Sequence, residues 1–262
     1  MRKLSFEIAL TFILIAGVHG GASADAGFTS VDFPTADGIK ARADLYPAKN
    51  ESAALVLLFH QAGWSRGEYR EIAPKLVELG YRVMAVDQRS GGAVNGVPNE
   101  THRRATKKRL ARSYLDAYAD LEAALVYARK NLEAERVIVW GSSYSASLVF
   151  RLASKRPDHV AAVMAFSPGE YFEKKKGPIY IWSFAQNVKQ PLFVTSSKNE
   201  RAQVKPLFDA SPAEKKILFT PASKGQHGSR ALWSKWPDHD VYWAAVNGFL
   251  QEYAPPVLAP PN

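Results

Sequence analysis

The chain has 262 residues, 47% hydrophobic and 23% charged: enough apolar content for one sizeable core, with none of the bias of a disordered or collagen-like polymer. It contains no cysteine, which excludes disulfide frameworks, thiolate-ligated zinc, iron–sulfur clusters and a thiol nucleophile. Its formal net charge is +9, and Arg103, Arg104, Lys107, Lys108, Arg109 and Arg112 crowd one short stretch. No aromatic residue interrupts that run, so nucleic-acid binding is a poor reading. A solvated face is the plainer one; a rim weakly attractive to anionic substrates or envelope polymers is the alternative.

In chain order, Arg2 and Lys3 make a positive start, Ile8 to Val18 is almost continuously apolar, and Ala22-Ser23-Ala24 supplies a small–x–small cleavage pattern. Residues 1–24 therefore read as a secretory signal peptide whose apolar run is too short to cross a bilayer stably, with an uncleaved anchor as the other reading. Its removal would take Arg2, Lys3 and Glu7, lower the charge from +9 to +8, and leave residues 25–262 as one periplasmic or secreted domain.

Thr29, Val31 and Phe33 alternate before Asp37-Gly38, and Ala41, Ala43 and Leu45 alternate after it, which predicts a β-hairpin. Short unbroken apolar runs follow at 54–59, 81–86, 137–140, 160–166, 191–195 and 216–219, the pattern of strands covered on both faces. Helical spacing separates them: Ile72, Leu76 and Leu79 before Gly80, then Leu115, Tyr118, Leu121, Leu125 and Ala128 before Asn131. The basic residues at 103/107 and 104/108/112 predict one side of a further helix, and a last helix starts near Asp238 or Asp240. The Pro-rich tail, 253–262, is expected to fray. The alternation makes an α/β fold: a mostly parallel sheet, an antiparallel N-terminal hairpin and helices on both faces.

The strongest chemical signal is Val137-Ile138-Val139-Trp140-Gly141-Ser142-Ser143-Tyr144-Ser145, an apolar strand running through Gly-x-Ser-x-Ser into a helix. A sharp strand-to-helix turn that lifts one hydroxyl off the sheet needs small residues two positions to either side. Gly141 and Ser145 flank Ser143 in that way, which selects Ser143 as nucleophile, with the Tyr144 amide facing a developing oxyanion. The loop after the 54–59 strand, His60-Gln61-Ala62-Gly63, offers a second amide from Ala62 or Gln61, and His60 reads as a structural histidine supporting it. His227, in the flexible Lys224-Gly225-Gln226-His227-Gly228 loop after the 216–219 strand, is a better base than His239, which opens a surface helix. The acid is Glu200, after the 191–195 strand, or Glu170, after the preceding one. Tyr171, Tyr180, Trp182 and Phe184 read equally well as an aromatic wall or as core.

On these residues the sequence resembles the α/β-hydrolase superfamily, and within it the serine-using relatives of the dienelactone hydrolase family. The likeness spans about 37–252 and rests on Leu58-Phe59-His60-Gln61-Ala62-Gly63, Val86-Asp87-Gln88-Arg89-Ser90-Gly91-Gly92 and Gly141-x-Ser143 in that order. It implies an α/β-hydrolase fold with little or no lid and an acid following the strand that precedes Glu200. Two departures stand out: dienelactone hydrolases proper use cysteine, and Glu200 stands where aspartate is more usual. The reading is an exported serine hydrolase that cleaves a small-molecule carboxylic ester through Ser143, His227 and Glu200, with Tyr144 and Ala62 amides at the oxyanion. It calls for no metal or cofactor and leaves the oligomeric state open. The alternatives are a small peptidase of the prolyl-oligopeptidase kind and a non-catalytic binding protein on the same fold.

Overall fold

Alternation around Asp37-Gly38 produces strands β1 (Thr29–Pro34) and β2 (Lys40–Tyr46), paired antiparallel with Phe33 opposite Ala41. Gly38 has φ +79°, a conformation the turn requires and a side chain resists. The computed structural model describes residues 27–257, so the leader-like segment 1–24 and the end of the Pro-rich tail lie outside the described residues.

The next elements are β3 (Leu55–Phe59), α1 (Ile72–Glu78), β4 (Arg82–Val86), a two-residue ribbon of β5 (Ala93–Val94) and β6 (Val97–Pro98), α2 (Glu100–Lys107) and α3 (Tyr118–Lys130). They are followed by β7 (Val137–Ser142), α4 (Tyr144–Lys155), β8 (Ala162–Phe166), α5 (Glu173–Lys176), α6 (Tyr180–Ala185), β9 (Leu192–Thr195), α7 (Arg201–Ala210), β10 (Lys216–Phe219) and α8 (His239–Tyr253). The large sheet has the order β1-β2-β4-β3-β7-β8-β9-β10. β2 runs antiparallel to β1 and β4, and every pairing from β4 to β10 is parallel.

The unbroken apolar runs have the cause inferred for them. Leu55, Leu57, Phe59, Val137 and Val139 meet the face covered by α3 and α4, whereas Val56, Leu58, Ile138 and Trp140 meet the face covered by α1 and α8. Both sides of β3 and β7 are buried, so neither can be polar, whereas β10, at the edge of the sheet, is only half-buried. Because the central strands are parallel, their carboxyl ends lie together along one edge, and the loops leaving that edge form the natural place for a site.

Two expectations are corrected. α2 stops at Lys107 and Arg109 takes φ +54°, so the basic residues do not share one helical side as far as Arg112. The segment buries only Thr101 and Ala105 from α2, too little apolar surface to sustain a longer helix. Part of its charge is also used: Arg104 Nη1 pairs with Asp32 Oδ1 at 2.7 Å, and Lys108 Nζ donates to Gly38 O at 2.6 Å, stapling α2 to the hairpin. The start of the Pro-rich tail is docked and not frayed. Tyr81 and Arg136 donate to the carbonyls of Ala254 (2.9 Å) and Pro255 (2.6 Å), and the Ala54 N–H donates to Pro256 O (2.8 Å). Carbonyls need no side chain to bind, so a hydropathy pattern does not show this.

Candidate active site

β7 runs out at Ser142, α4 starts at Tyr144, and Ser143 alone makes the turn, with φ 59° and ψ −124°. A non-glycine residue there is strained and persists only because its surroundings hold it. Its N–H donates to Phe166 O of β8 at 2.8 Å. A Cβ on Gly141 would lie 2.4 Å from the Ser145 carbonyl, so only glycine fits that position. Ser145 is more than a tolerated small residue: its hydroxyl donates to His60 O at 2.6 Å and ties the turn to the loop after β3.

The loop after β10 brings His227 over this turn. The Ser143 hydroxyl donates to Nε2 at 2.8 Å, and the opposite ring nitrogen, Nδ1, donates to Glu200 Oε1. These partners set the tautomer: the ring proton stays on Nδ1 beside the carboxylate, leaving Nε2 free to accept. Glu200 ends a short turn, Lys198–Glu200, opened by Ser197 in a reciprocal capping box. Its Oε2 accepts from Ser197 N–H (3.1 Å), Ser197 Oγ (2.8 Å) and Ser167 Oγ (2.9 Å). Burial alone would raise this carboxyl, but the His227 hydrogen bond and charge, helped by the two hydroxyls, outweigh it and bring the carboxyl down to about 2.

Glu170 is placed elsewhere. Its two oxygens accept the N–H groups of Ile181 (2.8 Å) and Trp182 (2.6 Å) in the first turn of α6, where a carboxylate also suits the helix dipole. His239 begins α8, with Nδ1 at 2.8 Å from Trp236 O. His60 is a structural histidine: fully buried, it donates from Nδ1 to Gln61 O at 2.8 Å and accepts the Gln88 N–H on Nε2 at 2.9 Å. Burial pushes its pKa down to about 4, so it stays neutral.

Of the two amides after β3, that of Gln61 already donates to Glu68 Oε2 at 2.7 Å. The half-buried Ala62 N–H donates to no acceptor among the described residues, and Tyr144 supplies the first N–H of α4. Helix geometry leaves that amide without an intrahelical acceptor.

Sequence reasoning missed Ser167. At the mouth of β8 with φ 55°, it donates to Glu200 and accepts the Gly228 N–H at 2.9 Å, joining the acid's turn to the histidine's loop. The available signal was a serine at the end of the strand beside the elbow. Tyr171 also reaches the site; its hydroxyl lies beside Ser143 and donates to Ser167 O at 2.8 Å. It lines a cleft of about 540 Å³ with Tyr114, Leu115, Phe172, Lys174 and Lys175. Tyr180 instead packs edge-on between Phe172 and Phe184, so of the four aromatic residues in question Tyr180, Trp182 and Phe184 pack, partly buried, against the core.

The pattern of the serine aminopeptidase, S33, family matches residues 50–230, well over half the chain and including Ser143, Glu200 and His227. Among solved structures, an esterase from Pyrococcus furiosus is similar with a TM-score of 0.65 at 18% identity, over 87% of this chain and 90% of that one. A dienelactone hydrolase from Anabaena variabilis gives 0.65 at 17% identity, over 86% and 97%. An acylaminoacyl peptidase from Pyrococcus horikoshii gives 0.63 at 18% identity, over 90% of this chain but 43% of that one.

Proposed function

This chain belongs to the serine aminopeptidase, S33, family and has the α/β-hydrolase fold, and from that premise we propose that it is an exported serine hydrolase of small carboxylic esters. The observation that carries the reading is the continuous hydrogen-bond chain from Ser143 Oγ through His227 to Glu200, at the carboxyl ends of β7, β9 and β10 and beside a cleft.

Ser143 Oγ attacks the ester carbonyl carbon while Nε2 of His227 takes its proton, and the carbonyl π electrons move onto oxygen. The imidazolium formed is stabilised by Glu200, whose depressed pKa keeps it ionised throughout. The N–H groups of Tyr144 and Ala62 receive the oxyanion. Collapse breaks the carbon–oxygen bond, the alcohol leaves with the Nε2 proton, and Ser143 remains acylated. Water then gives a proton to Nε2, its oxygen attacks the acyl carbon, and collapse releases the acid as Ser143 recovers its proton.

Export rests on the charged, apolar and small-residue succession of residues 1–24. Among the described residues no helix is long and apolar enough to cross a membrane. A peptidase reading has the family description behind it. An aminopeptidase, however, must pair the free ammonium of its substrate. In the cleft, Glu170 is committed to the α6 amides, and the carboxylate that remains, Glu173, stands next to Lys174 and Lys175, which line the same space.

The test is active-site labelling with a fluorophosphonate, followed by turnover of p-nitrophenyl acetate and of an aminoacyl p-nitroanilide. Labelling abolished by Ser143→Ala, with ester turnover exceeding anilide turnover, is the expected result. Absence of labelling overturns a serine hydrolase in favour of a non-catalytic binding protein, and preferred anilide turnover overturns the esterase reading.

A further inference from the structure

Glu68 lies in the turn Arg66–Tyr69 between β3 and α1, wholly buried beneath the strand ends, and has no part in the steps above. Its two carboxylate oxygens serve different segments. Oε2 accepts the Gln61 N–H at 2.7 Å, one residue before Ala62. Oε1 accepts the Ser142 hydroxyl at 2.7 Å, one residue before Ser143. With its proton directed at Glu68, Ser142 Oγ offers its lone pairs elsewhere and accepts the Ser229 N–H at 2.9 Å, two residues beyond His227. Between His227 and Ser229, Gly228 has φ +71°, and a Cβ there would lie 2.5 Å from Ser142 Oγ and 2.9 Å from Gln61 Oε1. The three segments thus converge too closely for any side chain to enter.

We propose that Glu68 is a positioning residue whose ionised carboxylate locks the oxyanion loop, the nucleophile's turn and the histidine's loop into one register. It rests on the assignment of Ser143, His227 and the Ala62 amide to ester hydrolysis. An ionised carboxylate is acceptor-only, which matches the two donors that Glu68 meets. Protonated on Oε2, it sets donor against the Gln61 N–H. Protonated on Oε1, it turns the Ser142 hydroxyl away from its acceptor. Either change breaks the chain at a buried site, where an unmade hydrogen bond is costly.

The same carboxylate is poised to titrate. Burial raises it to about 7, against the opposing pull of the Ser142 and Gln61 hydrogen bonds and the charge of Arg230. Arg230 acts from the turn Ser229–Leu232, and Trp233, the residue after that turn, donates from Nε1 to the Glu68 carbonyl at 2.9 Å. Tyr69 is its buried neighbour in the turn, the loop after β3 contributes His60, held neutral, and His227 stands beyond Gly228. Since the folded value lies above the ordinary 4.5, the stability tied to Glu68 is fully present below about pH 4.5 and is lost as pH rises through about 7. The form assigned to activity is therefore the form that burial disfavours.

The experiment compares full-length wild type, Glu68→Gln and Ser142→Ala in kcat, KM, thermal midpoint and pH profile on p-nitrophenyl acetate, with fluorophosphonate labelling rates alongside. Both variants should lose about ten- to a hundredfold in kcat at nearly constant KM, the scale set by a small misplacement of reacting groups. The acid limb of log kcat should be steeper in wild type than in Glu68→Gln, since the wild type alone requires Glu68 to be deprotonated as well. Wild-type kcat and slope in Glu68→Gln overturn the proposal, as does a loss accounted for entirely by unfolded protein. If Glu68→Gln fails to fold, Ser142→Ala decides: it keeps the carboxylate, and wild-type kcat there breaks the proposed chain. Failure of wild type to label overturns the assignment of Ser143 itself, whereas equal labelling of wild type and Glu68→Gln overturns only the role of Glu68.

Discussion

At the carboxyl end of β4, carboxylates are buried against guanidinium groups; at the carboxyl ends of β8 and β9, a carboxylate is half-buried against a histidine. In the first region Arg66 Nη1 meets Asp87 at 2.7 Å and its Nε meets Asp44 at 3.0 Å, while Arg70 reaches Asp44 at 3.1 Å. Arg89 lies between Asp120, at 2.8 Å, and Asp37 in the hairpin turn. Asp120 and Asp87 are completely enclosed with their charges met inside the protein, and the exposed end of the Arg89 network, Asp37, lies in the hairpin turn outside the cleft lining. In the second region the side chains of His227 and Glu200 remain 30% and 21% exposed, and the chain ends on Ser143 beside a cleft. A closed network holds elements in place; an open-ended one leaves a polar atom available to a substrate. Both gather at the same edge of one sheet, so what separates scaffold from site is where the hydrogen bonds stop.

The sharpest way to break this contrast is Ser143→Ala, which should cut kcat on p-nitrophenyl acetate by about 10⁴-fold or more with little change in thermal midpoint. A larger loss in Ser142→Ala than in Ser143→Ala would move the nucleophile by one residue. Glu200→Gln comes next, with kcat down about a thousandfold and KM little changed, while Glu170→Gln, which only weakens the start of α6, should cost under about tenfold. Steady-state kinetics on the two variants decide, and the reverse ranking would move the acid to the loop after β8. Glu200 also carries a pH signature. Its carboxyl is depressed from 4.5 to about 2, so its contribution to stability is present above about pH 4.5 and lost as pH falls through about 2. Urea melts across that window should show a weaker acid dependence in Glu200→Gln.

On the scaffold side, Asp120→Ala leaves the buried Arg89 with Asp37 as its one remaining carboxylate, which should destabilise the fold by up to about 3–5 kcal/mol. Denaturant unfolding measures this, and kcat corrected for the folded fraction should be unchanged; a collapse in kcat would mean that the two regions are one. The smallest effect belongs to charge at the cleft. Lys174→Glu with Lys175→Glu should lower kcat/KM for an anionic ester by about a few fold at low salt and leave a neutral ester alone, since rim charges mainly steer encounter and salt screens them. Arg104→Glu, which loses a staple to Asp32, should alter stability by about 1 kcal/mol or less without changing that preference.

The strands were legible in the sequence because each central one must be apolar on both faces, and six short runs without polar alternation leave few other readings. The hairpin was legible because Asp37-Gly38 interrupts a period of two. The turn at Ser143 was legible because Gly141 cannot carry a side chain against Ser145, a steric demand that is local in the chain. Ser167 and Glu68 were not legible. Each is one polar residue in a loop or turn, and its partners lie far away in sequence: Glu200 and Gly228 for Ser167, Ser142 for Glu68. The basic run misled for a related reason, since its spacing is helical but it lacks an apolar stripe to hold a helix together beyond Lys107.

By itself, then, the sequence determined the order of strands and helices, the turn that presents Ser143, and the short set of histidines and carboxylates able to serve it, because burial and backbone sterics act on residues close in the chain. Tertiary structure alone decided between Glu200 and Glu170 as the partner of His227, between Gln61 and Ala62 as the unengaged amide, and whether the basic stretch was a free face. Each depends on which hydrogen bond or ion pair is already taken by a residue distant in sequence, and a polar group already satisfied elsewhere looks the same in sequence as one left open.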